Sequence, residues 1–407
     1  MKQNHRKSDG RLALTIGLCF LVALMEGLDL QAAGIAAVGM AEAFSLDRMA
    51  LGWVFSAGII GLLPGALGGG WLADRYGRKI LLLCSVTLFG LFSLATALAW
   101  EYYSLLFARL MTGVGLGAAL PNLIALTSES AGPRLRGIAV SLMYCGVPLG
   151  AALAAAIGMG GITFPWQTVF WVGGVIPLLL VPLLYRYLDE SRQFRARRVE
   201  DGGASLTALL RPGAVSATLL LWASYFFTLL VVYLLINWLP VLLVDQGFSQ
   251  GQASQVMLML QFGAALGTLA LGALMDRLSP LAMALLIYCG MLGSLLALGM
   301  TSRFDTMLMV GFVAGLFATG GQCVLYALAP RFYQTAIRAT GVGAAVAVGR
   351  LGAMTGPLLA GKMLAAGAGT AGVMAASAPG ILVAGLAVFW LLGRGNRYSE
   401  GEAVQQG

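Results

Sequence analysis

The chain has 407 residues, of which 59% are hydrophobic and only 10% charged. That balance excludes an ordinary soluble globular domain, and the recurring continuous apolar runs of about 20 residues exclude a β-barrel, whose strands alternate in polarity. A net charge of +8, from 25 basic against 17 acidic residues, could suggest nucleic acid, but its distribution follows membrane topology instead.

Twelve apolar stretches read as membrane-spanning helices, near 12–39, 50–72, 80–100, 103–126, 137–160, 166–187, 215–243, 251–275, 280–300, 306–328, 339–363 and 376–393. With the N-terminus inside, three basic residues fall in outer loops (Arg48, Arg303, Lys362) and two within spans (Arg109, Arg350). The other 20 lie in cytoplasmic segments. This bias predicts a multi-pass protein with both termini cytoplasmic. The first apolar segment is too long for a signal peptide and is expected to be retained. Cys19, Cys84, Cys145, Cys289 and Cys323 show no paired spacing, so neither a disulfide nor a metal site is indicated. The only histidine, His5, lies in the N-terminal tail. There is no G-x-x-x-x-G-K-[ST] loop for ATP and no catalytic constellation, so no enzyme and no cofactor are expected.

The first span carries two carboxylates, Glu26 and Asp29. Each costs about 2.5–3.5 kcal/mol at mid-helix on an insertion scale, and intramembrane ionisable groups generally face a cavity or a partner. Three residues apart, they project from one face of the helix. One reading is a buried structural ion pair with a basic residue; the sharper one is a proton-binding site on a transport path.

The segment Gly70–Lys79, between the second and third spans, contains Asp74, Arg75, Gly77 and Arg78. Its glycines permit a tight turn, Asp74 can cap the next helix, and its basic residues hold topology. Arg109 follows in the fourth span, about 6 Å from Asp29 in depth at 1.5 Å per residue. A static pair with Asp29 and direct contact with an anionic ligand are equally open. Beyond Tyr187, the polar stretch Leu188–Gly213 carries Arg192, Arg195, Arg197 and Arg198 and divides the chain into six-span halves, 1–187 and 214–407.

The halves repeat. Gly70, Asp74 and Arg75 return as Gly272, Asp276 and Arg277; Gly113 returns as Gly315 and Arg136 as Arg338, each 202 residues later. Six spans return the chain to its starting side, so the copies are parallel repeats about an axis along the membrane normal. That arrangement predicts two six-helix bundles with substrate at the midplane. The charges do not repeat: Glu26, Asp29 and Arg109 map to Thr228, Val231 and Gly311, and Arg350 maps back to Pro148. Arg350 lies near the centre of the eleventh span. Contact with carbonyls is the bland reading, and a bidentate clamp on a carboxylate the favoured one. Tyr144, Tyr225, Phe226, Phe227, Tyr233 and Tyr326 also lie within spans, with Gln322 and Asn237. Most aromatics at such depths pack or anchor, but Tyr144, Tyr225, Tyr326 and Gln322 beside arginine would suit a small aromatic acid. Trp238 and Pro240 read as a kink or gate hinge.

Gly70–Lys79 resembles the signature loop of the major facilitator superfamily, with a degraded copy at Gly272–Arg277. The resemblance implies an all-α transporter of twelve spans with an inner gate, to which Asp74, Arg75, Arg78, Asp276 and Arg338 are assigned. Glu26-Gly27-Leu28-Asp29 is similar to the D-G-x-D signature of the aromatic acid:proton symporter family, with Glu in place of the first Asp. Arg109, Arg338 and Arg350 match arginines of that family. What this implies is uptake of a phenylpropanoid carboxylate with protons across a bacterial inner membrane, by a monomer with no nucleic-acid partner. Glu26 and Asp29 would couple to protons, and Arg109 and Arg350 would serve the substrate. The rivals are a cation or drug/proton antiporter of the same superfamily and a membrane sensor that does not transport.

Overall fold

An apolar run in a bilayer must satisfy its backbone polar groups within itself, so each span closes its own hydrogen bonds as an α-helix. The computed structural model describes residues 2–160, 165–190, 215–274, 277–332 and 338–405. Among them are twelve α-helices and no strand. They are α1 (Lys2–Ala43), α2 (Arg48–Tyr76), α3 (Arg78–Ala97), α4 (Tyr102–Tyr144), α5 (Gly146–Gly158), α6 (Thr168–Tyr187), α7 (Val215–Asp245), α8 (Gln250–Leu274), α9 (Pro280–Met300), α10 (Phe304–Leu328), α11 (Arg338–Ala365) and α12 (Thr370–Gln405). Eleven contain a stretch long and apolar enough to cross a membrane, and the twelfth apolar segment, Leu142–Gly158, is shorter. The fold is that of an all-α membrane protein.

One connection differs from expectation. The sequence reading places a break between the fourth and fifth spans, near 126–137, whereas α4 continues unbroken to Tyr144. Glu129, Arg134 and Arg136 interrupt the apolar run there. Charge ends a stretch that lipid tolerates, but it does not end a helix, and this one runs on past the apolar region.

Helix ends follow local chemistry. Asp47 caps α2, its Oδ1 accepting from the Ala50 amide at 2.6 Å. Ser279 caps α9 ahead of Pro280 at the first helical position. Ser249 and Gln252 bond each other's amides reciprocally at the start of α8. Gly77, between α2 and α3, holds φ at 101°, where a side chain is strained, and its amide closes on the Ala73 carbonyl.

Contacts divide the chain into two compact units, residues 1–200 with 249–258 and residues 201–248 with 259–407. Within each, glycines bring helix backbones together, because dispersion between close backbones replaces the hydrophobic drive that lipid removes. In the first unit a Cβ on Gly61 would strike the Leu110 carbonyl, one on Gly113 the Gly58 carbonyl, and one on Gly150 the Leu24 carbonyl. In the second, Gly263 meets Phe312, Gly315 meets Leu260, and Gly352 meets Phe226. Every glycine and every partner in the second set lies 202 residues after its counterpart in the first. The repeat is therefore a repeat of packing, contact by contact.

Candidate functional site

The first unit holds Glu26 and Asp29 on α1 and Arg109 on α4. Gly27 sits between the carboxylates because α5 crosses there, its Val147 carbonyl occupying the place a Cβ would take. Arg109 Nη1 donates to Asp29 Oδ1 at 2.8 Å, with side-chain exposures of 5% and 0%. The guanidinium lies 5.4 Å from the centre of the Phe170 ring on α6. Phe170 is tied in turn to α3, since its carbonyl accepts from Ser93 Oγ at 3.2 Å. Asp29 Oδ2 and Arg109 Nε are buried and have no hydrogen-bond partner among the described residues. The pair is thus held through one oxygen and one nitrogen, with Asp29 Oδ2 and Arg109 Nε unspent. Two glycines border it: a Cβ on Gly173 would stand 3.5 Å from Asp29 Oδ2, and one on Gly58 3.3 Å from Arg109 Nη2. Glu26 is buried at 3% exposure, one turn earlier on α1.

The second unit holds Arg350 on α11. Its Nη1 donates to the Tyr233 hydroxyl on α7 at 2.6 Å, and its guanidinium carbon stands 5.9 Å from the centre of that ring. Gly349, the residue before it, lies against Tyr225 and Leu229 of α7. Tyr225 packs on Tyr326 of α10 with ring centres 5.4 Å apart, and Gln322 Nε2 donates to the Tyr326 hydroxyl at 2.9 Å. Tyr225 is fully buried, and its own hydroxyl reaches the Leu325 carbonyl at 3.3 Å. Arg350, Tyr225, Tyr326 and Gln322, all singled out from sequence, therefore belong to one run of neighbours. Trp238, read as part of a hinge, donates its indole N–H to the Pro357 carbonyl at 2.9 Å and fastens α7 to α11. Tyr144 is the last residue of α4, half-buried, in the first unit.

Of the expected gate residues, the side chains of Asp74 and Arg338 and the whole of Asp276 lie outside the described residues. Arg75 is exposed and stands over the rings of Trp71 and Tyr76. Arg78 pairs with Glu129 of α4. Glu190, just past α6, accepts from the backbone amides of Arg78 (3.0 Å) and Lys79 (3.2 Å to Oε2), the open N-terminus of α3. Lys79 Nζ completes the contact on the Tyr185 carbonyl at 2.7 Å.

Sequence reasoning did not place Tyr233, Glu129 or Glu190 in a site. Tyr233 had one available signal: it follows Tyr225 by eight residues, which puts the two about two turns apart on one helix face. The acidic pair had none, because a carboxylate at the water-facing end of a span is ordinary.

The family model described as Major Facilitator Superfamily matches residues 19–303. The chain is 73% identical to the 3-(3-hydroxy-phenyl)propionate transporter of Escherichia coli (strain K12), over 96% of each chain. It is 38% identical to the 4-hydroxybenzoate transporter PcaK of Pseudomonas aeruginosa, over 86% of each. Its fold matches the crystal structure of a D-xylose-proton symporter with a TM-score of 0.75 at 19% identity, over 93% of this chain and 96% of that one. The chain belongs to the Major Facilitator Superfamily.

Proposed function

We propose that the protein imports a small aromatic carboxylate, 3-(3-hydroxyphenyl)propionate or a related phenylpropanoid acid, together with protons and by alternating access. The substrate class rests on full-length likeness to the E. coli transporter named for that acid. The observation that carries the chemistry is the division of charge. Arg109 is bonded to a carboxylate of its own unit, Asp29, and Arg350 donates to a phenol of its own unit, Tyr233. A guanidinium at membrane depth attracts an anion and repels a cationic drug.

In this reading Arg350 holds the substrate carboxylate, while Tyr326, Gln322 and Tyr225 flank the ring. Arg109 acts first as the partner of Asp29. Asp29 and Glu26 take the transported protons. A proton on Asp29 cancels the charge that holds Arg109, so proton binding and the Asp29–Arg109 ion pair exclude each other. That is a two-state element of the kind coupling requires. Asp74, Arg75 and Arg78 in the first half, and Asp276 and Arg338 in the second, serve the inner gate. The protein works as a monomer in a bacterial inner membrane with both termini cytoplasmic, and residues 188–213 link halves 1–187 and 214–407.

The test is uptake of labelled hydroxyphenylpropionate into proteoliposomes with an alkaline interior. Accumulation that a protonophore abolishes is expected, and benzoates should exchange in counterflow. Accumulation of cationic dyes with no response to aromatic acids would replace this reading with the antiporter.

A further inference from the structure

We infer that the Tyr233 hydroxyl is the second donor of the carboxylate site, binding one substrate oxygen while Arg350 binds the other. The inference rests on the reading of Arg350 as the substrate anchor.

A phenol carries one hydrogen and two lone pairs, and a guanidinium can only donate. In the 2.6 Å bond the Arg350 N–H therefore enters a lone pair of the Tyr233 oxygen, and the phenol keeps its own hydrogen. Tyr233 is 6% exposed, and no acceptor for that hydrogen stands among the described residues. A buried donor left unspent is uncommon, because burial without a bond carries a penalty of about 1–3 kcal/mol. The cation donating into its oxygen also polarises the phenol and makes its O–H a stronger donor. Such a hydroxyl beside an arginine presents two donors of different kinds to one ligand, which suits the two oxygens of a carboxylate. No proton changes owner in this step.

The helices around the pair are built to hold it still. A Cβ on Gly349 would stand 3.1 Å from Leu229 Cδ2 and 3.3 Å from Tyr225 Cδ1, one on Gly352 would strike the Phe226 carbonyl, and Gly356 lies as closely against Leu230. These three glycines seat α11 on α7 along one stripe, and the Trp238–Pro357 bond pins the seam near its outer end. Asn237 Nδ2 donates to the Tyr233 carbonyl at 2.8 Å, which fixes the turn that carries the phenol. Donors held in place before the ligand arrives lose little freedom on binding.

The test is Tyr233→Phe, which keeps the ring under the guanidinium and removes only the hydroxyl. In proteoliposomes the KM for hydroxyphenylpropionate should rise about tenfold or more, the usual worth of a hydrogen bond to a charged group, with the maximal rate little changed. Competition by the corresponding carboxamide supplies a second readout that does not depend on the amount of folded protein. The wild type should prefer acid over amide, and Tyr233→Phe should lose most of that preference. An equal loss for acid and amide would reduce Tyr233 to a wall of the site and overturn the inference. An unchanged KM in Tyr233→Phe alongside a raised KM in Arg350→Gln would also overturn it, while leaving the Arg350 reading intact. An unchanged KM in Arg350→Gln would remove the reading beneath it as well.

Discussion

Asp29 sits where a charge is hardest to keep, with no exposed surface and an ion pair made through a single oxygen. Deleting one member of a buried pair leaves the other uncompensated, at a cost of about 3–5 kcal/mol. Asp29→Asn should therefore lower the melting temperature, and pairing it with Arg109→Gln should recover much of that loss, because neither charge is then left alone. Function should respond differently. Both variants should lose accumulation driven by a pH gradient while keeping substrate counterflow, since exchange needs no net proton. Gradient-driven accumulation that survives in the double variant would take Asp29 out of the coupling scheme. The residue scale also shows why the site was only partly legible. Glu26, Asp29, Arg109 and Arg350 announce themselves because each is costly in lipid, and depth along the spans already put Arg109 within reach of Asp29. Tyr233 carries no such penalty, and its contact with Arg350 exists only once α7 and α11 have met.

At the scale of elements, the sequence located the apolar stretches but not the crossings between them. The crossing of α1 with α5 and that of α7 with α11 use the same register, yet the glycine has changed sides. In the first unit Gly27 on α1 faces Val147 on α5, and in the second Gly349 on α11 faces Leu229 on α7. The charged residue follows the glycine, Glu26 beside the one and Arg350 beside the other. A Cβ at Gly27 would collide with backbone, which cannot yield, whereas at Gly349 it would meet side-chain atoms at 3.1 and 3.3 Å that can shift. Gly27→Ala should thus cost more stability than Gly349→Ala. Gly68→Ala, whose Cβ would enter open space in α2, should be neutral or stabilise the fold by up to the roughly 0.5–1 kcal/mol that alanine gains over glycine in a helix, read as a raised melting temperature. A different ranking would contradict the packing described. The N-terminus of α3 offers a separate check, for Glu190 spans two of its open amides. Bonds to a charged acceptor are worth about 1.5–3 kcal/mol. Glu190→Ala should accelerate hydrogen exchange at Arg78 and Lys79 at least tenfold, and no change there would mean the carboxylate does not cap the helix in the membrane.

Across the whole molecule, scaffold and chemistry obey different rules. Gly61 and Gly263, 202 residues apart, meet the carbonyls of Leu110 and Phe312, which are themselves 202 apart. The titratable positions do not follow: Asp29 maps to Val231 and Arg350 to Pro148. A protein that needed charge only for structure would gain nothing by confining its membrane-depth carboxylates to one half, since both halves solve the same packing problem. One that moves an anion and a proton in a fixed ratio needs a separate place for each, because a carboxylate paired with the substrate-holding arginine would compete with the anion for it. Paired substitutions separate the two rules. Gly61→Ala and Gly263→Ala should depress the melting temperature by similar amounts, because the same kind of collision arises in each half. Asp29→Asn and Val231→Ala, also equivalent in register, should diverge. Val231→Ala removes buried methyl groups at a cost of about 1–3 kcal/mol and should still accumulate substrate on a pH gradient, which Asp29→Asn should not. Loss of gradient-driven uptake in both would mean that this depth of each half is structural, and the assignment of proton chemistry to the first half would fall.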